Sequence, residues 1–156
     1  MSKPPRPTLS GVALTGVIDE RLPALVCRAE HSLSGFLAMA VDWRGIRYFR
    51  RQEFGYHGDV EPDPTLVDLL DEARKYAGIP FVITSGIRAP RHDGDTSSHT
   101  TGHAADIRCA TSRHRMQMLD ALRMVGFDRI GVYNRHIHVD TDTTKPSGVI
   151  WVGVSR

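Results

Sequence analysis

The segment His136-Ile137-His138-Val139-Asp140 constrains the fold more than any other part of the 156-residue chain. Successive side chains of a strand point to opposite faces, so Ile137 and Val139 share one face while His136, His138 and Asp140 share the other. The apolar pair needs a core and the polar trio needs water or a ligand, so this strand belongs in a sheet buried on one side only. A second group stands upstream in Ser98-His99-Thr100-Thr101-Gly102-His103-Ala104-Ala105-Asp106. There a histidine and an aspartate lie seven positions apart across a glycine and small residues, a turn able to fold both side chains toward one point.

The surrounding elements follow from periodicity and caps. Asp63 is a good helix N-cap and Pro64 suits the first helical position, while Leu66, Leu69, Leu70, Ala73 and Ala77 form one stripe before Gly78 stops it. Residues 79–84 (IPFVIT) read as a buried strand. A helix is expected over 112–125, with Met118, Leu122 and Val125 inward and Gly126 as its stop, and strands over 129–133, 136–142 and 149–154. The fold class is α+β: a small antiparallel sheet carrying the site, flanked by helices, in a single domain. Residues 1–45 read as an N-terminal extension with a Pro-rich lead-in and one helix near 23–33, and residues 46–156 as the functional domain.

Composition narrows the function classes. With 40% hydrophobic residues the chain can bury a core without staples, and 20 basic against 18 acidic residues leave a net charge of +2, too little to draw the whole molecule to a polyanion. The alternating aromatic and basic run at 43–51 (WRGIRYFRR) reads as a solvated face beside a strand rather than a nucleic-acid surface, which strongly salt-dependent DNA binding would otherwise reveal. Cys27 and Cys109 have no CxxC spacing and read as ordinary thiols. The apolar stretches at 11–18 and 33–41 are too short for a membrane helix, and no signal peptide is expected. A lone histidine is more often structural than a ligand, so only the two clusters count. Imidazoles with one carboxylate suit zinc, and three protein ligands leave the fourth tetrahedral position that hydrolysis needs. His103 follows His99 by four, but Gly102 between them argues against a helical pair and leaves it at the surface or in support.

The order SGIRAP (85–90), SSHTTGHAAD (97–106), GVY (131–133) and HIHVD (136–140) resembles the VanY-like and D-Ala-D-Ala zinc peptidases, which cleave peptidoglycan stem peptides. The lead-in YFRRQEFGYHG, the helix PTLVDLLDEARKYAG and the closing GVIWVG extend the resemblance over roughly 46–153. It implies a Zn²⁺ held by His99, Asp106 and His138. It also implies that His136, the first histidine of the HxH pair, stays off the metal and serves the water or the developing oxyanion. Arg88 would then steady a substrate carbonyl or carboxylate, with Ser98 and Tyr133 as further substrate contacts and Asp140 orienting a histidine. Several relatives carry Glu or Asp three residues before the last ligand, whereas this chain has Arg135, which leaves His136 as candidate base.

The reading is thus a zinc peptidase acting on peptidoglycan stem peptides or cross-links, of D,D-carboxypeptidase or endopeptidase type. Its expected partners are peptidoglycan peptides, with neither nucleic acid nor membrane insertion, as a monomer. It would stay cytoplasmic until released, or travel as a phage lysin or virion-associated enzyme. The main alternative is a non-catalytic wall- or partner-binding module whose structural zinc is closed by His136 as fourth ligand. An iron oxygenase, suggested by His138-Val139-Asp140, lacks the histidine that should follow Asp140.

Overall fold

In the computed structural model, which describes residues 40–154, Asp63 caps helix α1 (Pro64–Ala77): its Oδ1 accepts the Leu66 N–H at 2.9 Å. Gly78, at φ 64°, takes the left-handed turn that ends it. Leu66, Val67, Leu70 and Ala73 are buried, with Leu69 and Ala77 at the margin. Asp71 is buried on the same helix because it has partners there: its carboxylate accepts the backbone N–H groups of Arg47 and Tyr48. That contact explains the course of residues 43–51. They form turns leading into a 3-10 helix (Arg51–Phe54), not a face beside a strand, and they send Ile46 and Phe49 into the core while their arginines stay outside or at its margin. The helix expected at 23–33 lies outside the described residues.

Helix α2 (Ser112–Met124) starts where Thr111 accepts the His114 N–H at 3.1 Å, and it turns Met118, Ala121 and Leu122 inward. The strands are β1 (Ile83–Ser85), β2 (Ala104–Arg108), β3 (Arg129–Val132), β4 (His136–Asp140) and β5 (Val149–Val152), in the spatial order β1-β2-β4-β3-β5. Three pairings are antiparallel, but β5 runs parallel to β3, so the sheet is mixed rather than antiparallel throughout. The cause is the 141–148 loop, which carries the chain back beside the start of β3, where the Val149 N–H meets the Asp128 carbonyl at 2.7 Å. β1 is shorter than expected: Pro80 has no N–H to give a ladder, and Phe81 is used as a core side chain. β2 occupies residues that the sequence places in a turn, because Ala-Ala-Asp has little intrinsic strand preference.

Ile107, Ile130, Ile137 and Val139 turn one sheet face onto the two helices and the core aromatics Phe49, Phe54, Phe81 and Phe127. Alternation sends Asp106, His136 and His138 to the opposite face, so helix packing fixes the strands and leaves the polar face for chemistry.

Candidate metal centre

Register brings the two histidine clusters together. Across the β2/β4 ladder Asp106 faces His138, Arg108 faces His136, and Ala104 faces Asp140. Cross-strand neighbours on one face lie within side-chain contact, and the His138 Nδ1 is 2.9 Å from the Asp106 Oδ1. His99 arrives from the turn before β2. Thr100 and Thr101 hydroxyls donate to the Ser97 and Ser98 carbonyls, and the His103 N–H returns to the Ser98 carbonyl at 2.9 Å. Gly102 makes this turn possible, since at φ 80° a Cβ there would strike the Glu61 carbonyl.

Each imidazole is held by one nitrogen and offers the other. The His99 Nδ1 donates to the Gly86 carbonyl at 2.7 Å, leaving Nε2 to face the Asp106 Oδ1 at 3.4 Å. The His138 Nε2 donates to the Asp140 Oδ2 at 3.2 Å, leaving Nδ1 inward. Ligand atoms of His99, Asp106 and His138 all lie within 4.8 Å of one another, two imidazole nitrogens and a carboxylate oxygen, a donor set that fits zinc. The Asp140 carboxylate that meets the His138 Nε2 is itself held by the Arg129 Nε at 2.6 Å.

The electrostatics favour positive charge at this point. Burial alone would raise the Asp106 carboxyl, but hydrogen bonds and charge from His138 and His99 hold it well below the usual carboxylate range. Burial would lower His138, yet Asp106 and Asp140 together push it above the ordinary histidine value. For Asp140 the same contest between burial and its partners His138 and Arg129 ends below the usual range.

His136 stands beside this group and outside it, its Nε2 3.9 Å from the Asp106 Oδ2. It stacks on Tyr133 at 4.4 Å between ring centroids and 13° between planes, because the two close the β3–β4 hairpin through the Tyr133 N–H to His136 carbonyl bond. A cleft of about 450 Å³ crosses the sheet over these residues, from Ser85, Arg88, Arg91 and Ser97 at the β1 end to Tyr133 and Val154 at the β5 end. Arg88 is fixed there by Asp95, with Nη1 to Oδ2 at 2.9 Å.

One expected substrate contact falls elsewhere. Ser98 is buried and turned away from the cleft, donating to the Asp142 Oδ2 at 2.9 Å and accepting from the Lys145 Nζ at 2.6 Å; its neighbour Ser97 lines the cleft instead. His103, expected at the surface or in support, turns back on the Thr101 carbonyl. Other contributors escaped the sequence reading. Trp151 lies across Gly131, where a Cβ would come within 2.7 Å of the indole, and its ring reaches 5.6 Å from that of His138. Its Nε1 donates to the Tyr133 hydroxyl at 3.2 Å. The GVY and GVIWVG segments contained both residues, but only the parallel β3/β5 pairing, which sets Gly131 opposite Trp151, makes them neighbours.

A cleft floored by two imidazoles and a carboxylate, with a further histidine beside them, is an arrangement that could hold a metal ion. Residues 39–140, about two thirds of the chain, match the model of the Peptidase M15 family. The chain belongs to that family, whose members are in general zinc-dependent peptidases. No curated protein matches it significantly.

Proposed function

We propose that this chain is a zinc peptidase hydrolysing peptide bonds in peptidoglycan stem peptides or cross-links, of carboxypeptidase or endopeptidase type. The observation that carries the reading is the convergence of the His99 Nε2, the His138 Nδ1 and Asp106 on the floor of an open cleft, with His136 adjacent but outside the group. Membership of the Peptidase M15 family supports the reaction class.

His99, Asp106 and His138 would hold the ion. When bound there, zinc supplies Lewis acidity toward a carbonyl and brings the pKa of water down to ~7. The remaining work belongs to side chains. His136, held beside the site by its stack on Tyr133, takes a proton from the attacking water and returns it to the leaving amine. The Asp140 carboxylate keeps the His138 ring oriented through Nε2, and Arg129 keeps Asp140 charged. Arg88 presents its guanidinium to a substrate carboxylate from a fixed position, since Asp95 holds Nη1. The closed structural-zinc alternative requires His136 as a ligand, and its place outside the convergent group counts against that.

The test is zinc content of the purified protein together with mass spectrometry of muropeptides before and after digestion. About one zinc per chain and a defined peptide cleavage support the reading. Unaltered muropeptides with a zinc-loaded protein would refute it.

A further inference from the structure

Two arginines stand at the β1 end of the cleft, and the proposed function uses only one. Arg88 and Arg91 both line it. A single carboxylate sets both: the Asp95 Oδ2 accepts from the Arg88 Nη1 and from the Arg91 backbone N–H, each at 2.9 Å, while Oδ1 accepts the Ser97 N–H at 2.9 Å. The Arg91 N–H, the Arg88 side chain and the Ser97 N–H together hold the Asp95 carboxyl well below the usual range, so the clamp stays charged at any working pH.

The clamp commits Asp95 to Arg88 and to backbone. The Arg91 guanidinium remains exposed and takes no carboxylate among the described residues. Asp106, the carboxylate that lines the cleft, is engaged on its floor with His99 and His138. The β1 end therefore carries uncompensated positive charge in a concave site, an arrangement that concentrates anionic ligands. Residues three apart in sequence hold their Cα atoms within about 11 Å, the span of two carboxylates one to three residues apart on an extended peptide.

We propose that Arg91 is a second carboxylate-binding residue which, paired with Arg88, makes the cleft select peptides carrying two carboxylates within about three residues of each other. This rests on the peptidase reading for the identity of the ligand. For stem peptides the chemistry corresponds to the free α-carboxylate of D-Glu together with the terminal carboxylate. Amidation of either should then weaken recognition, because a guanidinium binds carboxylate through paired charge-assisted hydrogen bonds that an amide cannot reproduce.

The experiment uses the zinc-loaded protein and three forms of the peptide L-Ala-γ-D-Glu-L-Lys-D-Ala: both carboxylates free, the D-Glu carboxylate amidated, or the terminal carboxylate amidated. Affinities are read by ligand-observed NMR, with mass spectrometry of the same samples reporting any hydrolysis. The wild type should bind the diacid about tenfold more tightly than either monoamide. In Arg91→Gln one of those two preferences should collapse toward unity, which names the carboxylate that Arg91 takes, and Arg91→Lys should restore it only in part. Melting temperatures of both variants check that the fold is kept. Equal wild-type affinity for all three peptides, or unchanged preferences in Arg91→Gln, would overturn the proposal. Preferences intact in a zinc-loaded protein that leaves whole muropeptides, with their D-Ala-D-Ala bonds and cross-links, uncut would count against the peptidase reading alone.

Discussion

His136 and His138 are two residues apart on one strand face, yet they differ in what they touch. The His138 Nδ1 meets Asp106 at 2.9 Å and its Nε2 meets Asp140, whereas the His136 Nε2 stays 3.9 Å from Asp106 and its ring is stacked on Tyr133. We expect His138→Ala to lose zinc and activity together. His136→Ala should retain zinc and melting temperature while turnover falls about 10²- to 10⁴-fold, the range for a positioned acid-base group. Zinc analysis, thermal melts and turnover on peptidoglycan for the two variants side by side check this, and joint loss of zinc and stability in His136→Ala would restore the four-ligand alternative. At this scale much was legible in the sequence, because period-2 alternation alone put His136, His138 and Asp140 on one face. The Ser97/Ser98 distinction was not, since the direction of a side chain in a turn depends on hydrogen bonds to Asp142 and Lys145, more than 40 positions away.

Elements show the same division. Caps and stripes are local, so α1 begins at Asp63–Pro64 and ends at Gly78 as its sequence requires. The Asp63 Oδ1 also accepts the Thr141 hydroxyl at 2.8 Å, which ties the helix start to the end of β4. Asp63→Ala should therefore cost about 1–2 kcal/mol in urea denaturation, at the upper end for an N-cap. Thr141→Val, which removes only the tie, should cost less. Strand pairing is not local: β2 has no strand signal within its own residues, and β3 and β5, each legible as a strand, carry none for their parallel pairing, so both depend on partners supplied by the rest of the sheet. Gly131 tests the latter. A methyl there must displace the Trp151 indole from 2.7 Å, so Gly131→Ala should destabilise by about 1–3 kcal/mol as an overpacked site. It should also lower turnover, because Trp151 supports Tyr133 through its indole N–H. A wild-type melting temperature in that variant would show that the indole moves freely.

For the molecule as a whole, the proposed ligand set would couple ion binding to protonation. His138 is raised above its ordinary value by Asp106 and Asp140, so the stability from its charged pairing is full below the unfolded pKa of ~6.5 and is lost as pH rises through the folded value. Asp106 is lowered, so its contribution is present above the unfolded ~3.9 and is lost as pH falls. Protein stripped by a chelator should then be most stable between those two limits. Zinc requires His138 neutral, and a raised His138 extends proton competition above ~6.5. The zinc-induced increase in melting temperature should accordingly grow from about pH 5.5 to about pH 8, a range spanning the reference value, while the stripped protein loses stability over its upper part. Melts of stripped and zinc-loaded protein across that range read both trends at once. A zinc shift that is constant with pH would mean that the ion is held without His138, and the ligand set of His99, Asp106 and His138 would have to be abandoned.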